Sequence, residues 1–138
     1  MRFSSISRRA VAAGLAVLAI GAPGVPAAAE PVTCQDVRIP VAIGGQQETM
    51  FGRLCQPGGP TSTVLLLVPG ATYTGDYWDL PASLGLFSFR AGLNGAGYAT
   101  LTVDRLGTGR SSRPASVLLT ALTQAGVLHQ VVGRLRAG

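Results

Sequence analysis

Apolar residues along this 138-residue chain fall into runs of different texture, and each texture predicts a different element. Val32 to Ile43 alternates loosely and is rich in Val and Ile, Gly44-Gly45 follows, and a second such run spans Glu48 to Cys55. Alternation at period two marks strands with one buried face, and a glycine pair between two of them marks a hairpin turn. Thr63 to Val68 does not alternate: after Thr63 it is continuously apolar until it breaks into Pro69-Gly70. Such a run predicts a strand buried on both faces, as in parallel sheets covered by helices. Tyr98 to Val103, closed by Asp104, reads as another buried strand. Between these two, Leu84 to Asn94 predicts a weak helix with interior glycines, stopped by Gly95-Ala96-Gly97. After Pro114, Leu118, Ala121, Leu122, Ala125, Leu128, Val132 and Leu135 recur at three- and four-residue steps. That spacing predicts an amphipathic helix with Ser116 as its N-cap and Arg134 and Arg136 at its negative end.

These elements assemble in few ways. Strand, helix and strand form a right-handed crossover, so Thr63–Val68 and Tyr98–Val103 are expected to run parallel. A hairpin centred between Gly44 and Gly45 sets Cys34 directly opposite Cys55, where cross-strand side chains come closest. The expected sheet order is 1-2-4-3, which leaves Thr63–Val68 at an edge. An edge strand so apolar and uncharged is an aggregation hazard, so the sheet is expected to be unfinished in this chain.

Composition changes the picture mainly at the N-terminus. Arg2, Arg8 and Arg9 precede the uncharged stretch Val11 to Ala22, and Ala27-Ala28-Ala29 offers small residues at a cleavage site. Residues 1–29 therefore look like a secretory signal peptide, with Ser7-Arg8-Arg9 resembling a twin-arginine signal. The apolar run is far short of the ~20 residues needed to span a bilayer, so no stable membrane anchor is expected after cleavage. A secreted, extracytoplasmic location follows for residues 30–138.

Without the leader, eight Arg face six acidic residues, and the pI of about 10.2 becomes largely a property of the targeting segment. The remaining Arg are scattered without interleaved aromatics, so no nucleic-acid binding is expected. Two cysteines in an exported chain predict a disulfide, Cys34 to Cys55, worth roughly 3 kcal/mol by the chain-entropy argument. No metal site is expected, because His129 is the only histidine.

The order of motifs resembles a known family. An antiparallel opening pair, an apolar strand running into Pro69-Gly70-Ala71-Thr72, then Tyr77-Trp78-Asp79, Gly97-Tyr98-Ala99 before a strand, and Asp104-Arg105-Leu106-Gly107-Thr108-Gly109-Arg110-Ser111-Ser112 resemble the N-terminal part of an α/β hydrolase, in particular its exported esterase- and lipase-like branch. The match covers essentially all of Val32 to Gly138. The resemblance implies an α/β fold with an incomplete hydrolase sheet, an antiparallel hairpin followed by a parallel βαβ unit, and a final helix. It also implies that the loop after Thr63–Val68 supplies one backbone N–H of an oxyanion hole, from Ala71 or, as the near alternative, Thr72. Pro69 stands where the family commonly has His, which removes an N–H at 69 but not at 71. Tyr73, Tyr77 and Trp78 would line an acyl or alcohol pocket, or else Tyr77 and Trp78 pack the loop onto the sheet.

The same comparison exposes a deficit. A serine hydrolase needs a nucleophile on a G-x-S-x-G elbow, followed by an acid and a His. Gly109-Arg110-Ser111-Ser112-Arg113 lacks the closing glycine and precedes the wrong helix, and His129 comes before any nucleophile. The chain is expected to be a truncated hydrolase, inactive alone, that would act on a small-molecule ester or lipid if completed, without a cofactor. A non-catalytic secreted binding module using the Ala71–Trp78 loop and the open edge is the alternative. Gly107-Thr108-Gly109 does not make a dinucleotide site: Ser112 stands where the third glycine belongs, and no acidic residue follows Asp104. Asp104 and this glycine turn are expected to shape the strand exit.

Overall fold

A computed structural model of the chain describes residues 31–81 and 87–137. The expected signal peptide lies outside the described residues; of the helix expected over Leu84–Asn94, the described part begins only at Phe89, where Ser88 Oγ caps it by accepting from Ala91 N at 2.9 Å. Strands β1 (Thr33–Ile43), β2 (Gln46–Gln56), β3 (Val64–Leu67) and β4 (Ala99–Val103) form one mixed sheet in the order β1-β2-β4-β3. Helix α1 (Phe89–Gly95) lies between β3 and β4, and α2 (Ala121–Ala137) follows β4. Short 3-10 turns occupy Gly75–Trp78 and Ser116–Leu118.

The hairpin forms in the expected register, from Thr33 opposite Gln56 to Ile43 opposite Gln46. Gly44 and Gly45 have φ of 57° and 78°, the two positive angles that a two-residue type I′ turn demands. β2 pairs antiparallel with β4, from Gly52–Val103 to Cys55–Thr100, and β3 pairs parallel with β4, from Val64–Ala99 to Leu67–Thr102. The Cys34–Cys55 disulfide closes the open end of the hairpin, with Cα atoms 4.1 Å apart.

Strand alternation divides the side chains between two dissimilar faces. One carries Val41, Ile43, Met50, Leu101 and Val103, and α2 covers it with Val127 and Val131 to make the core. The other carries the disulfide, Thr100 and Thr102, and α1 meets it with polar groups. Asn94, 2% exposed, donates from Nδ2 to Tyr98 O, Thr100 Oγ1 and Cys55 O at 2.9, 3.1 and 3.3 Å. α1 stops as its sequence predicts. Gly97 has φ of 89°, Tyr98 N donates to Leu93 O and Gly97 N to Asn94 O, which is a Schellman closure.

Three expectations are corrected. β3 is not buried on both faces: Val64 is 39% exposed and only Leu67 is buried, whereas every residue of β4 is buried. The difference is position, since β4 has a strand on each side and β3 has one among the described residues. The last helix begins at Ala121 rather than after Ser116, because Thr120 Oγ1 accepts from Thr123 N at 3.2 Å while Ser116 opens a 3-10 turn. Its buried face is also rotated from the Leu118–Leu135 pattern: Leu122 is 82% exposed, and Gln124, Val127 and Val131 are buried. The cause is two glutamines that face inward to satisfy backbone groups. Gln124 Nε2 donates to Leu106 O at 2.9 Å, and Gln130 both accepts from Ala42 N at 2.8 Å and donates to Ala42 O at 2.9 Å. A periodicity count that scores Gln as outward-facing turns the helix the wrong way.

Candidate functional site

The carboxyl ends of the parallel strands β3 and β4 carry two adjoining loops, and such ends are where open α/β sheets bind ligands. The first loop leaves β3 through Pro69 and Gly70. Gly70 has no side chain to spare space for: a Cβ there would sit 3.2 Å from the Tyr73 ring, and Tyr73 N donates back to Gly70 O at 3.3 Å. Ala71 and Thr72 lie in the turn between them, exposed, and their N–H groups meet no acceptor among the described residues.

Beyond the turn the loop is anchored. Gly75 is buried against Thr102 and Val103 and donates its N–H to Asp104 Oδ1 at 2.8 Å. Asp104, 4% exposed, accepts on Oδ2 from Arg110 N at 2.8 Å, so one carboxylate holds both loops. Gly109, with φ of 50°, lies against that carboxylate, and a Cβ there would overlap it. The strand-exit role expected for Asp104 and its glycine turn is thus present in detail.

The near-miss serine segment is fully engaged. Ser111 is buried; its Oγ donates to Asp104 O at 2.6 Å and accepts from Phe51 N at 2.8 Å. Ser112 Oγ accepts from Thr49 N at 2.9 Å, and its backbone N–H donates to Thr49 O at 2.9 Å. The two serines dock the second loop on β2 like a short extra strand, with the Ser111 proton given to Asp104 O and the Ser112 oxygen bound by the Thr49 N–H. His129 is exposed on α2.

Of the expected pocket residues, Tyr73, Tyr77 and Trp78 are brought together. Tyr73 and Tyr77 rings lie 5.2 Å apart, Tyr77 and Trp78 meet edge-to-face at 5.2 Å, and Trp78 continues to Phe89 of α1 at 5.5 Å. Tyr73 and Tyr77 are 55% and 48% exposed, while Trp78 is half-buried. Trp78 therefore joins the loop to α1 while the tyrosines present an aromatic surface outward.

A charged cleft lies beside this surface, lined by Phe51, Arg53, Gly75, Asp76, Asp79, Arg90, Thr102, Asp104 and Arg110. Arg90 donates Nε and Nη2 to Asp79 Oδ2 at 2.9 and 2.7 Å, and Ser88 Oγ donates to Asp79 Oδ1 at 2.5 Å. Burial works to raise the Asp79 carboxyl, but the hydrogen bonds from Ser88 and Arg90 and the charges of Arg90 and Arg53 outweigh it and hold the group below its ordinary value. Arg110 lies 3.4 Å from the Phe51 ring centroid and pairs with Asp36 at 2.9 Å, which also pairs with Arg53 at 2.9 Å. The Asp79–Arg90–Asn94 chain was not singled out from the sequence; its only advance sign is an Arg and an Asn four apart on one helix face.

No protein-family model and no curated protein sequence matches the chain. Among solved structures, one described as "The Atomic Resolution Structure of a Novel Bacterial Esterase" is similar at a TM-score of 0.43 and 20% identity, over 78% of this chain and 36% of that one. The chain spans little more than a third of that structure's length. At that score and identity the likeness assigns neither family nor activity. Among the described residues, no helix is long and apolar enough to cross a membrane.

Proposed function

We propose that this chain is the N-terminal portion of a secreted serine ester hydrolase of the α/β-hydrolase type, contributing one oxyanion donor and one pocket wall. The observation that carries the proposal is the pair of N–H groups of the exposed residues Ala71 and Thr72, which have no acceptor among the described residues and follow a parallel strand. Oxyanion stabilisation needs donors about 2.7–3.1 Å from the developing charge, held in place before the reaction begins. The anchoring of Gly75 by Asp104 supports such fixed placement. Tyr73 and Tyr77 would form the wall against an ester or lipid substrate. Because Ser111 and Ser112 are committed to backbone groups, the nucleophile, acid and His would come from residues outside these 138, and the chain alone would be inactive.

The test has two parts. The 138-residue chain is expected to give no turnover of p-nitrophenyl esters and no adduct with a serine-reactive phosphonate; phosphonate-sensitive turnover overturns the claim of inactivity. If the coding sequence downstream encodes a Gly-x-Ser-x-Gly segment, the joined protein should hydrolyse esters, and Ala71→Pro should lower its kcat by about 10²–10³ with little change in KM. Unchanged kcat in both Ala71→Pro and Thr72→Pro would remove the oxyanion role.

The open β3 edge and the exposed tyrosines favour one rival, a binding module that adds a partner strand. Saturable partner binding with no ester turnover by the joined protein would select it.

A further inference from the structure

We propose that the Cys34–Cys55 bridge is a polarised, thiol-reducible disulfide, in which Cys34 is attacked by an incoming thiolate and Cys55 departs as a thiolate held by Arg90. The two sulfurs sit in unlike surroundings. Cys34 is exposed at the open end of the hairpin, whereas Cys55 is 0% exposed. An external thiolate therefore has access to one sulfur and not the other.

The buried side carries the charge that the reaction needs. Arg90 Nη1 lies 3.4 Å from Cys55 Sγ and 3.7 Å from Cys34 Sγ. The guanidinium is fixed on its other edge by Asp79, and Nη1 itself also donates to Asn94 Oδ1 at 3.0 Å. Its side chain is 15% exposed, so its field at the sulfur is less screened than that of a surface arginine. A cation beside a thiol lowers its pKa, and a thiolate of lower pKa leaves faster in exchange. Asp79 offsets part of this positive charge, but it lies on the Nε–Nη2 edge while Nη1 faces the sulfurs.

The step balances. The thiolate of a low-molecular-weight thiol forms a bond to Cys34 Sγ, the Cys34–Cys55 bond breaks, and its electron pair leaves on Cys55 Sγ. The products are a mixed disulfide at Cys34 and a thiolate at Cys55 paired with Arg90; a second thiol molecule completes the reduction. The hairpin ladder need not open for the first attack. This inference does not depend on the hydrolase reading.

The test is brief exposure of the oxidised full chain to glutathione at neutral pH, an acid quench, alkylation and peptide mapping by mass spectrometry. The expected first product carries glutathione on Cys34 and the alkyl group on Cys55. Arg90→Gln should slow its formation about three- to tenfold, because the departing thiolate loses its cation and a more basic thiolate leaves more slowly. Arg90→Lys, which keeps the charge but loses the planar fork, should fall between. Glutathione on Cys55 in the parent protein would overturn the assignment whether or not either variant folds. So would an Arg90→Gln rate equal to or above the parent rate.

Discussion

The two edges of the sheet are built on opposite plans. At the β1 edge, the short Cα separation at the disulfide marks a non-hydrogen-bonded pair, so even-numbered residues from Cys34 to Ala42 turn their backbone groups away from β2. One of those positions is Pro40, which has no N–H to offer. At Ala42 the Gln130 amide takes both the N–H and the C=O. Asp36 and Arg38 add charge along the same strand, with Asp36 held by Arg53 and Arg110. At the β3 edge none of these devices occurs among the described residues. Ala99 N donates to Thr63 O, so by the alternation of a parallel ladder Val64 and Leu66 direct their backbone groups outward, in a strand with no charge and no proline. β1 has the sequence of an edge strand, and β3 has that of an inner strand placed at an edge. The proposed wider sheet would pair a further strand with β3.

The contrast can be attacked from its strongest element downward. Replacing both cysteines by serine removes the brace between β1 and β2 and should lower stability by about 3 kcal/mol, read as a lower urea midpoint with a steeper slope, because the unfolded chain loses its cross-link and exposes more surface. A drop well under 1 kcal/mol would mean that the hairpin is held without it. Gln130→Ala should cost about 1–2 kcal/mol, because it frees the Ala42 N–H and C=O, and should also add concentration-dependent association through β1. If sedimentation shows the variant no more associated than the parent, Gln130 is not what closes that edge. Val64→Lys should change stability by less than about 1 kcal/mol yet reduce self-association of the parent chain through β3. A parent chain that stays monomeric at high concentration would break the contrast outright.

The smallest effect is electrostatic and separates the two sides by pH. The folded-state Asp79 carboxyl titrates below its ordinary value, so its stabilising contribution is fully present above the unfolded value of about 3.9 and is lost as pH falls through the folded one. Asp79→Asn should therefore flatten the stability curve below about pH 4 and not above it. Asp36 is also lowered, chiefly by its hydrogen bond from Arg53, but it is an exposed surface pair, so Asp36→Asn should flatten the curve less. Equal effects from the two variants would put the acid-labile contacts on both edges alike.

Hairpin register and the disulfide were legible in the sequence because both follow from the Gly44-Gly45 turn and the alternation on either side of it, and the parallel pairing of β3 with β4 because a helix separates two apolar runs. Inward-facing polar residues were not. Gln124, Gln130 and Asn94 point at backbone groups that exist only once distant segments have come together, so no local period announces them. The burial of β3 was over-read for a related reason, since a continuous apolar run records what a strand could pack against and not which neighbours are there. At the site, the loop and its aromatic residues were legible from composition. The engagement of Ser111 with Phe51 was not, because it depends on a contact sixty residues away.

The attachment of the β3 loop at Gly75 also governs how its amides exchange with solvent. Its amide is held by a buried carboxylate, while Ala71 and Thr72 on one side and Tyr77 on the other are exposed. The loop is thus pinned at mid-length, between the Gly70–Tyr73 turn that carries Ala71 and Thr72 and the 3-10 turn that carries Tyr77. In hydrogen exchange, Gly75 should be among the slow amides of the chain, in contrast to the fast amides of Ala71 and Thr72 a few residues before it.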